Sequence, residues 1–248
     1  MEALRVEGLC RQFGGVSALR DVTFSVQSGE KVVIIGPNGA GKTTLFNVLN
    51  GQMPPTAGRI YLYGKDITNL PTYDRFQLGQ SRSFQITTLF PRLTVLENCL
   101  VALQGKQPSR FHMVRPLTSY RELFTKAEKS LGAVALWEKR DERVQNISYG
   151  EQRRLEIAIS LASEPKLLLL DEPSAGLTAG ESVAIVDMIR NLRDITTLIV
   201  AHDMDLVFGV AERIIAMHYG EIIAQGTPEE IRINPRVREV YMGMEEAV

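Results

Sequence analysis

The chain has 248 residues, 44% of them hydrophobic and 23% charged, with a formal net charge of −1. A chain of this length buries roughly 70–75% of its unfolded surface and needs neither disulfide staple nor structural metal, and its near-neutrality removes the electrostatic case for general nucleic-acid binding. Cys10 and Cys99 fit no metal-ligand spacing and read as buried small hydrophobes, Glu2, Arg5 and Glu7 make a signal peptide unexpected, and no apolar run approaches the roughly 20 residues that span a bilayer.

Residues 4–35 alternate apolar and polar positions between turn signals, which predicts antiparallel β structure leading into a buried strand at 31–35. Helical spacing follows over 41–50, then a second β patch at 58–63 and a short helix near 71–78. Helical patterns over 94–103 and 119–137 flank an excursion at 104–118 that holds Gly105, Pro108, Pro116 and several basic residues. From there helix and strand alternate: helix 149–162, strand 166–170, helix 179–192, strand 196–201, helix 203–209 and strand 213–217. This alternation predicts an α/β fold with a mainly parallel sheet covered on both faces, interrupted by a helical insertion. Thr227-Pro228-Glu229-Glu230 is a capping box with Pro at the first helical position, and Pro235 resets the chain before a last helical stretch around 237–242.

The strongest chemical signal is Gly36-Pro37-Asn38-Gly39-Ala40-Gly41-Lys42-Thr43, set between the apolar strand and the first helix. In that context it is a phosphate-binding loop. Glycines let successive N–H groups turn toward phosphate oxygens, and the helix N-terminus adds partial positive charge. Lys42 supplies a full charge, and the Thr43 hydroxyl is a candidate Mg²⁺ ligand for bound ATP. The adjoining Thr44 completes the nucleotide-binding set.

Asp171 and Glu172 end the strand predicted at 166–170. A carboxylate at the C-terminal end of a buried strand beside a phosphate loop suits support of Mg²⁺. The next one, Glu172, is placed to orient and deprotonate an attacking water.

Ile147-Ser148-Tyr149-Gly150-Glu151-Gln152 decides among the many phosphate-loop proteins. Ser148-x-x-Glu151 is a capping box for the helix that follows. The stretch also resembles the Leu-Ser-Gly-Gly-Gln signature of the ATP-binding cassette family: Ser148 and Gly150 match, Tyr149 replaces a Gly, and Glu151 replaces the Gln. The two readings are compatible, because a capped helix N-terminus is also an anion site.

The resemblance runs over about 4–226 in the family's motif order and implies a phosphate-loop NTPase fold with an N-terminal antiparallel β subdomain and an inserted helical subdomain. A single nucleotide-binding domain then fills 1–248, with the core at 1–86 and 164–226, helices at about 87–163, and a tail at 227–248. It implies that Ser148, Tyr149, Gly150 and Glu151 meet ATP bound by a second ATPase subunit. Likewise Gln85 would contact Mg²⁺ or the attacking water, His202 the γ-phosphate, and Phe13 the adenine ring. One departure stands out: Thr178 closes Ser174-Ala175-Gly176-Leu177-Thr178 where most members carry an Asp, which puts the strength of coupling between the two sites in question.

Within the family, residues 84–98, the 104–118 excursion and the tail resemble the longer ATPase subunit of branched-chain amino-acid importers. That resemblance implies permease partners, a second ATPase subunit, an external binding protein, a place on the cytoplasmic face of the membrane, and no nucleic acid. Urea or amide import, lipopolysaccharide export and a soluble cassette ATPase are the alternatives. The soluble class usually carries tandem cassettes or a long coiled-coil insertion, and neither pattern is present here.

Overall fold

The computed structural model describes residues 1–83, 89–105, 121–192 and 194–245. Two sheets form the frame. The first is antiparallel, in the order β2-β1-β4-β5, built from β1 (Glu2–Phe13), β2 (Val16–Gln27), β4 (Ala57–Leu62) and β5 (Lys65–Asp66). The second runs β10-β9-β3-β8-β7-β6, from β3 (Lys31–Ile35), β6 (Gln80–Arg82), β7 (Leu167–Asp171), β8 (Thr196–Val200), β9 (Arg213–His218) and β10 (Glu221–Gly226). All of its pairings are parallel except β9 with β10.

The period of two along the central strands sorts their side chains between two cores. Val32 and Ile34, Leu167 and Leu169, Leu198 and Val200, and Ile215 and Met217 join a cluster with the first sheet and with α1 (Lys42–Leu49). Val33 and Ile35, Leu168 and Leu170, Ile199, Ile214 and Ala216 point the other way. There they pack among α3 (Val95–Gly105), α4 (Arg121–Ala133), α5 (Tyr149–Ala162), α6 (Ala179–Arg190) and α7 (Met204–Val210). Burial on both faces favours apolar side chains at successive positions, which is why residues 32–35, 167–170 and 198–200 read as unbroken hydrophobic runs.

The helices at 94–103 and 119–137 are expected from the sequence; α3 and α4 carry them, and the second ends at Ala133, before a 3₁₀ turn at Trp137–Lys139. The 104–118 excursion falls mostly on 106–120, outside the described residues. A strand absent from the sequence expectations is β10, which closes the sheet edge through a tight hairpin at Tyr219-Gly220, both at positive φ. Cys99 is buried, whereas Cys10 is only half-buried: the register shifts around it in β1, and its sulfur accepts the Asp21 N–H at 3.3 Å.

Arg75, on α2 (Thr72–Gln77), is 1% exposed. It donates to the carbonyls of Val48 (2.9 Å), Leu49 (2.6 Å), Thr68 (3.0 Å) and Leu70 (2.8 Å). It thereby closes the C-terminal end of α1, where a cation suits the helix dipole. Burial pushes its pKa down to about 10, which leaves it charged at neutral pH. The chain ends in α8 (Pro228–Ile233), capped by Thr227 and Glu230 as the sequence indicates, and α9 (Pro235–Glu245).

Candidate nucleotide site

Register brings the site together. Ile34 of β3 and Asp171 of β7 both lie level with Val200 of β8, so the loops leaving these three strands emerge along one edge. The loop after β3 is residues 36–41, and α1 starts at Lys42. Two glycines are dictated by close approach: a Cβ on Gly36 would collide with the Met217 carbonyl, and one on Gly41 (φ +98°) would lie 2.6 Å from the Ala18 carbonyl oxygen. α1 has no side-chain cap and no acidic residue in its first turn, which leaves its N-terminal amides for an anion. Lys42 curls back over the loop, its Nζ donating to the carbonyls of Gly36 (2.5 Å) and Pro37 (2.9 Å). Burial pushes its pKa down, while the charges of Glu172 and Asp171 pull it up. Residues 38–44, with Ala18 and Glu172, line an open cleft of about 200 Å³ in which the Thr43 side chain is exposed and Thr44 half-buried.

Asp171 is completely buried. Its Oδ2 accepts from Arg82 at 2.6 Å, and Arg82 also reaches Asn47 on α1 (2.8 Å) and Gln52 (3.1 Å). Oδ1 is buried without a protein partner. An orphaned carboxylate oxygen is costly unless something binds it, and a hard cation or its water is a fitting occupant. Together with the Thr43 hydroxyl, these oxygens fit Mg²⁺. Among the described residues no group of three His, Cys, Asp or Glu side chains is gathered, so phosphate and water oxygens would complete such a shell.

Glu172 takes a left-handed backbone conformation (φ +48°) that non-glycine residues adopt at a cost of about 1 kcal/mol or more. Its N–H is fixed by the Val200 carbonyl at 2.8 Å. Arg153 of α5 holds the carbonyls of Asp171 (2.9 Å), Glu172 (2.8 Å) and Pro173 (3.3 Å). With the backbone pinned on both sides, the Glu172 carboxylate is directed into the cleft, and its Oε1 lies 3.5 Å from Nδ1 of the exposed His202. Phe13, at the end of β1, is 45% exposed, and the Arg11 guanidinium lies 4.7 Å from its ring centroid. Gln85 lies outside the described residues, as does all of 84–88.

Ser148 caps α5: its hydroxyl accepts the Glu151 N–H at 3.2 Å, and Glu151 returns to the Ser148 N–H at 2.9 Å. Tyr149 is exposed and lies beside Gly176. Ser148, Gly150 and Glu151 line a separate cleft of about 180 Å³ that shares no residue with the phosphate-loop cleft. Within one chain, then, Lys42, Thr43, Thr44, Asp171, Glu172 and His202 are brought together, and the Ser148 segment is not among them. Thr178 is the N-cap of α6, in a capping box with Glu181 that is absent from the sequence expectations. Arg82 and Arg153 carried no local signal, because their partners lie far along the chain.

Comparison with known proteins identifies the family and the fold. A family model described as ABC transporter matches residues 19–175, and one described as branched-chain amino acid ATP-binding cassette transporter matches residues 221–246. The chain is 40% identical, over 97% of each sequence, to the high-affinity branched-chain amino acid transport ATP-binding protein LivG of Salmonella typhimurium. It is 36% identical to the lipopolysaccharide export system ATP-binding protein LptB of Acidithiobacillus ferridurans, over 98% of this chain and 97% of that one. The ADP conformation of MJ1267, an ATP-binding cassette of an ABC transporter, superimposes with a TM-score of 0.86 at 34% identity, covering 98% of this chain and 99% of that one.

Proposed function

The chain belongs to the ATP-binding cassette (ABC) transporter family, and on that premise we propose that it is the ATP-hydrolysing subunit of a membrane importer for branched-chain, hydrophobic amino acids. The observation that carries the substrate class is the tail: residues 221–246, from β10 into α9, match the branched-chain model in addition to the general cassette match upstream.

In this reading the adenine stacks on Phe13 and the phosphates lie along residues 36–44. Lys42 exchanges the carbonyls of Gly36 and Pro37 for the β- and γ-phosphate oxygens. Thr43, Asp171 and Gln85 would hold Mg²⁺, whose charge offsets that of the phosphates. Glu172 takes a proton from the attacking water, and His202 reaches the γ-phosphate. Ser148, Tyr149, Gly150 and Glu151 serve the nucleotide of a second ATPase subunit, a reading supported by the two clefts having no residue in common. Closure of that pair drives the permeases, and the subunit sits peripherally on the cytoplasmic face. A groove of about 490 Å³ between α2, β6 and α3, with Tyr73, Phe76, Leu89 and Leu103 on its walls, suits a short permease helix. Among the described residues no helix is long and apolar enough to cross a membrane, and in this reading the permeases provide the path.

The test is reconstitution with the products of neighbouring reading frames. Two polytopic membrane proteins and a secreted leucine-binding protein are expected there. In proteoliposomes the leucine-loaded binding protein should stimulate ATP hydrolysis and leucine uptake together. Stimulation by urea or by lipopolysaccharide instead would overturn the substrate class.

A further inference from the structure

Glu181 sits in the first turn of α6 and divides its carboxylate between two helices. Oε2 accepts the Thr178 N–H at 3.0 Å and the Thr178 hydroxyl at 2.9 Å, completing the cap of its own helix. Oε1 faces the opening turn of α5, where the Ser148 hydroxyl donates to it at 3.5 Å. A Cβ on Gly150 would collide with this carboxylate, so the absence of a side chain there is what lets it approach. The Thr178 amide and hydroxyl, and behind them the Gly150 amide and Ser148 hydroxyl, hold the Glu181 carboxyl below the usual carboxylate range. It is therefore an anion at neutral pH. Among the described residues no cation forms an ion pair with it, whereas its neighbour Glu151 is matched by Lys139 at 2.7 Å.

The N-terminus of α5 thus already has an anion in it, supplied by the same chain. Helix termini of this kind accept carboxylates and phosphates through the same amides and partial charge, and two anions on one set of donors repel.

We propose that Glu181 is a positioning residue that occupies the Ser148–Gly150 anion site as a stand-in for the terminal phosphate of the partner's nucleotide, and that it must leave before the two subunits close on ATP. This rests on the reading of Ser148 and Gly150 as a site used in trans. Because the same carboxylate caps α6, its departure also loosens the helix that follows Thr178. Arrival of nucleotide on one subunit is thereby passed to the segment 174–178 of the other. The charge that family members carry on an Asp at the Thr178 position is here displaced three residues on.

The experiment uses the full-length chain in a Glu172→Gln background, which holds ATP. Glu181→Gln keeps a capping-box residue at the third helical position but removes the charge. The ATP concentration for half-maximal dimerisation, followed by light scattering, should fall roughly three- to five-fold, as expected for loss of an anion at a helix terminus. ATP affinity of the monomer, measured by equilibrium titration at low protein concentration, should not move. Glu181→Asp, one methylene shorter, should shift dimerisation in the same direction, which covers the case of a poorly folded glutamine variant. An unchanged or raised ATP requirement in both variants overturns the proposal. Ser148→Arg separates the two levels: if it blocks dimerisation while Glu181→Gln does nothing, only the role of Glu181 falls. If Ser148→Arg dimerises normally, or the parent stays monomeric at saturating ATP, the trans site falls and the proposal with it.

Discussion

Glu172 shows how one side chain is made useful by constraints on its backbone. Its left-handed φ, the Val200 carbonyl on its amide and the Arg153 guanidinium on its carbonyl hold the carboxylate toward the phosphate loop at a conformational cost. Glu172→Gln retains shape and removes the proposed base, so steady-state hydrolysis should fall by about 10²-fold or more while ATP stays bound. A phosphate-release assay beside a nucleotide-binding titration checks this, and hydrolysis within a few-fold of wild type would exclude Glu172 as the base. Gly36, Lys42 and Thr43 were legible as candidates because the loop they form is contiguous, and Glu172 because it follows the acid that ends an apolar strand. Arg82 was not: its value lies in meeting Asp171, 89 positions away, which only the pairing of β6 with β7 brings near. Arg153 reads locally as one more charge on an amphipathic helix, and only the fold turns it inward, to 5% exposure.

Among the elements, α1 carries the phosphate loop at one end and is tied down at the other. The buried Arg75 bonds two carbonyls of that far end, Val48 and Leu49, and two outside the helix, Thr68 and Leu70, and Gly51 leaves room for the guanidinium. Arg75→Met should cost about 3 kcal/mol, because buried carbonyls lose charge-assisted donors. In a domain of this size that corresponds to a fall of roughly 6–12 °C in Tm, readable by calorimetry. A change below about 1 kcal/mol would mean water replaces the guanidinium. Most elements were legible because each has one dominant period. The short strands β5 and β6 carry too few residues to show a period, and β10, whose Glu-Ile-Ile-Ala-Gln-Gly stretch is half-exposed and only six residues long, was missed as well. Its signal lay in the turn, where Tyr219-Gly220 provides two positive φ angles that suit a tight hairpin. Periodicity cannot register that.

For the whole molecule, the two clefts at separate places on one chain are the governing fact. An arginine at position 148 would fill the α5 cleft without touching the phosphate loop. Ser148→Arg should therefore abolish ATP-driven dimerisation while monomer binding of ATP stays within about two-fold, since distant sites behave independently. Loss of monomer binding in an equilibrium titration would place the serine's role within its own chain or in folding. Fold class was legible at this scale because strand–helix alternation leaves few ways to cover a sheet. The family resemblance implied that Ser148 lies apart from the chain's own Lys42; its grouping with Glu181 of α6 was not legible, because no pattern along the chain brings those two helix starts together.

The position of β3 has a consequence for biosynthesis. Lys31–Ile35 is the central strand, yet both of its partners, β8 and β9, come from the last quarter of the chain. A ribosome adding about 5–20 residues per second completes them roughly 10–40 s after β3 is made. Throughout that interval both hydrogen-bonding edges of a Val-Val-Ile-Ile strand lack their partners. Nascent chains of this protein are thus natural clients for holdases, and fragments ending before His218 should accumulate as aggregates rather than as a smaller domain.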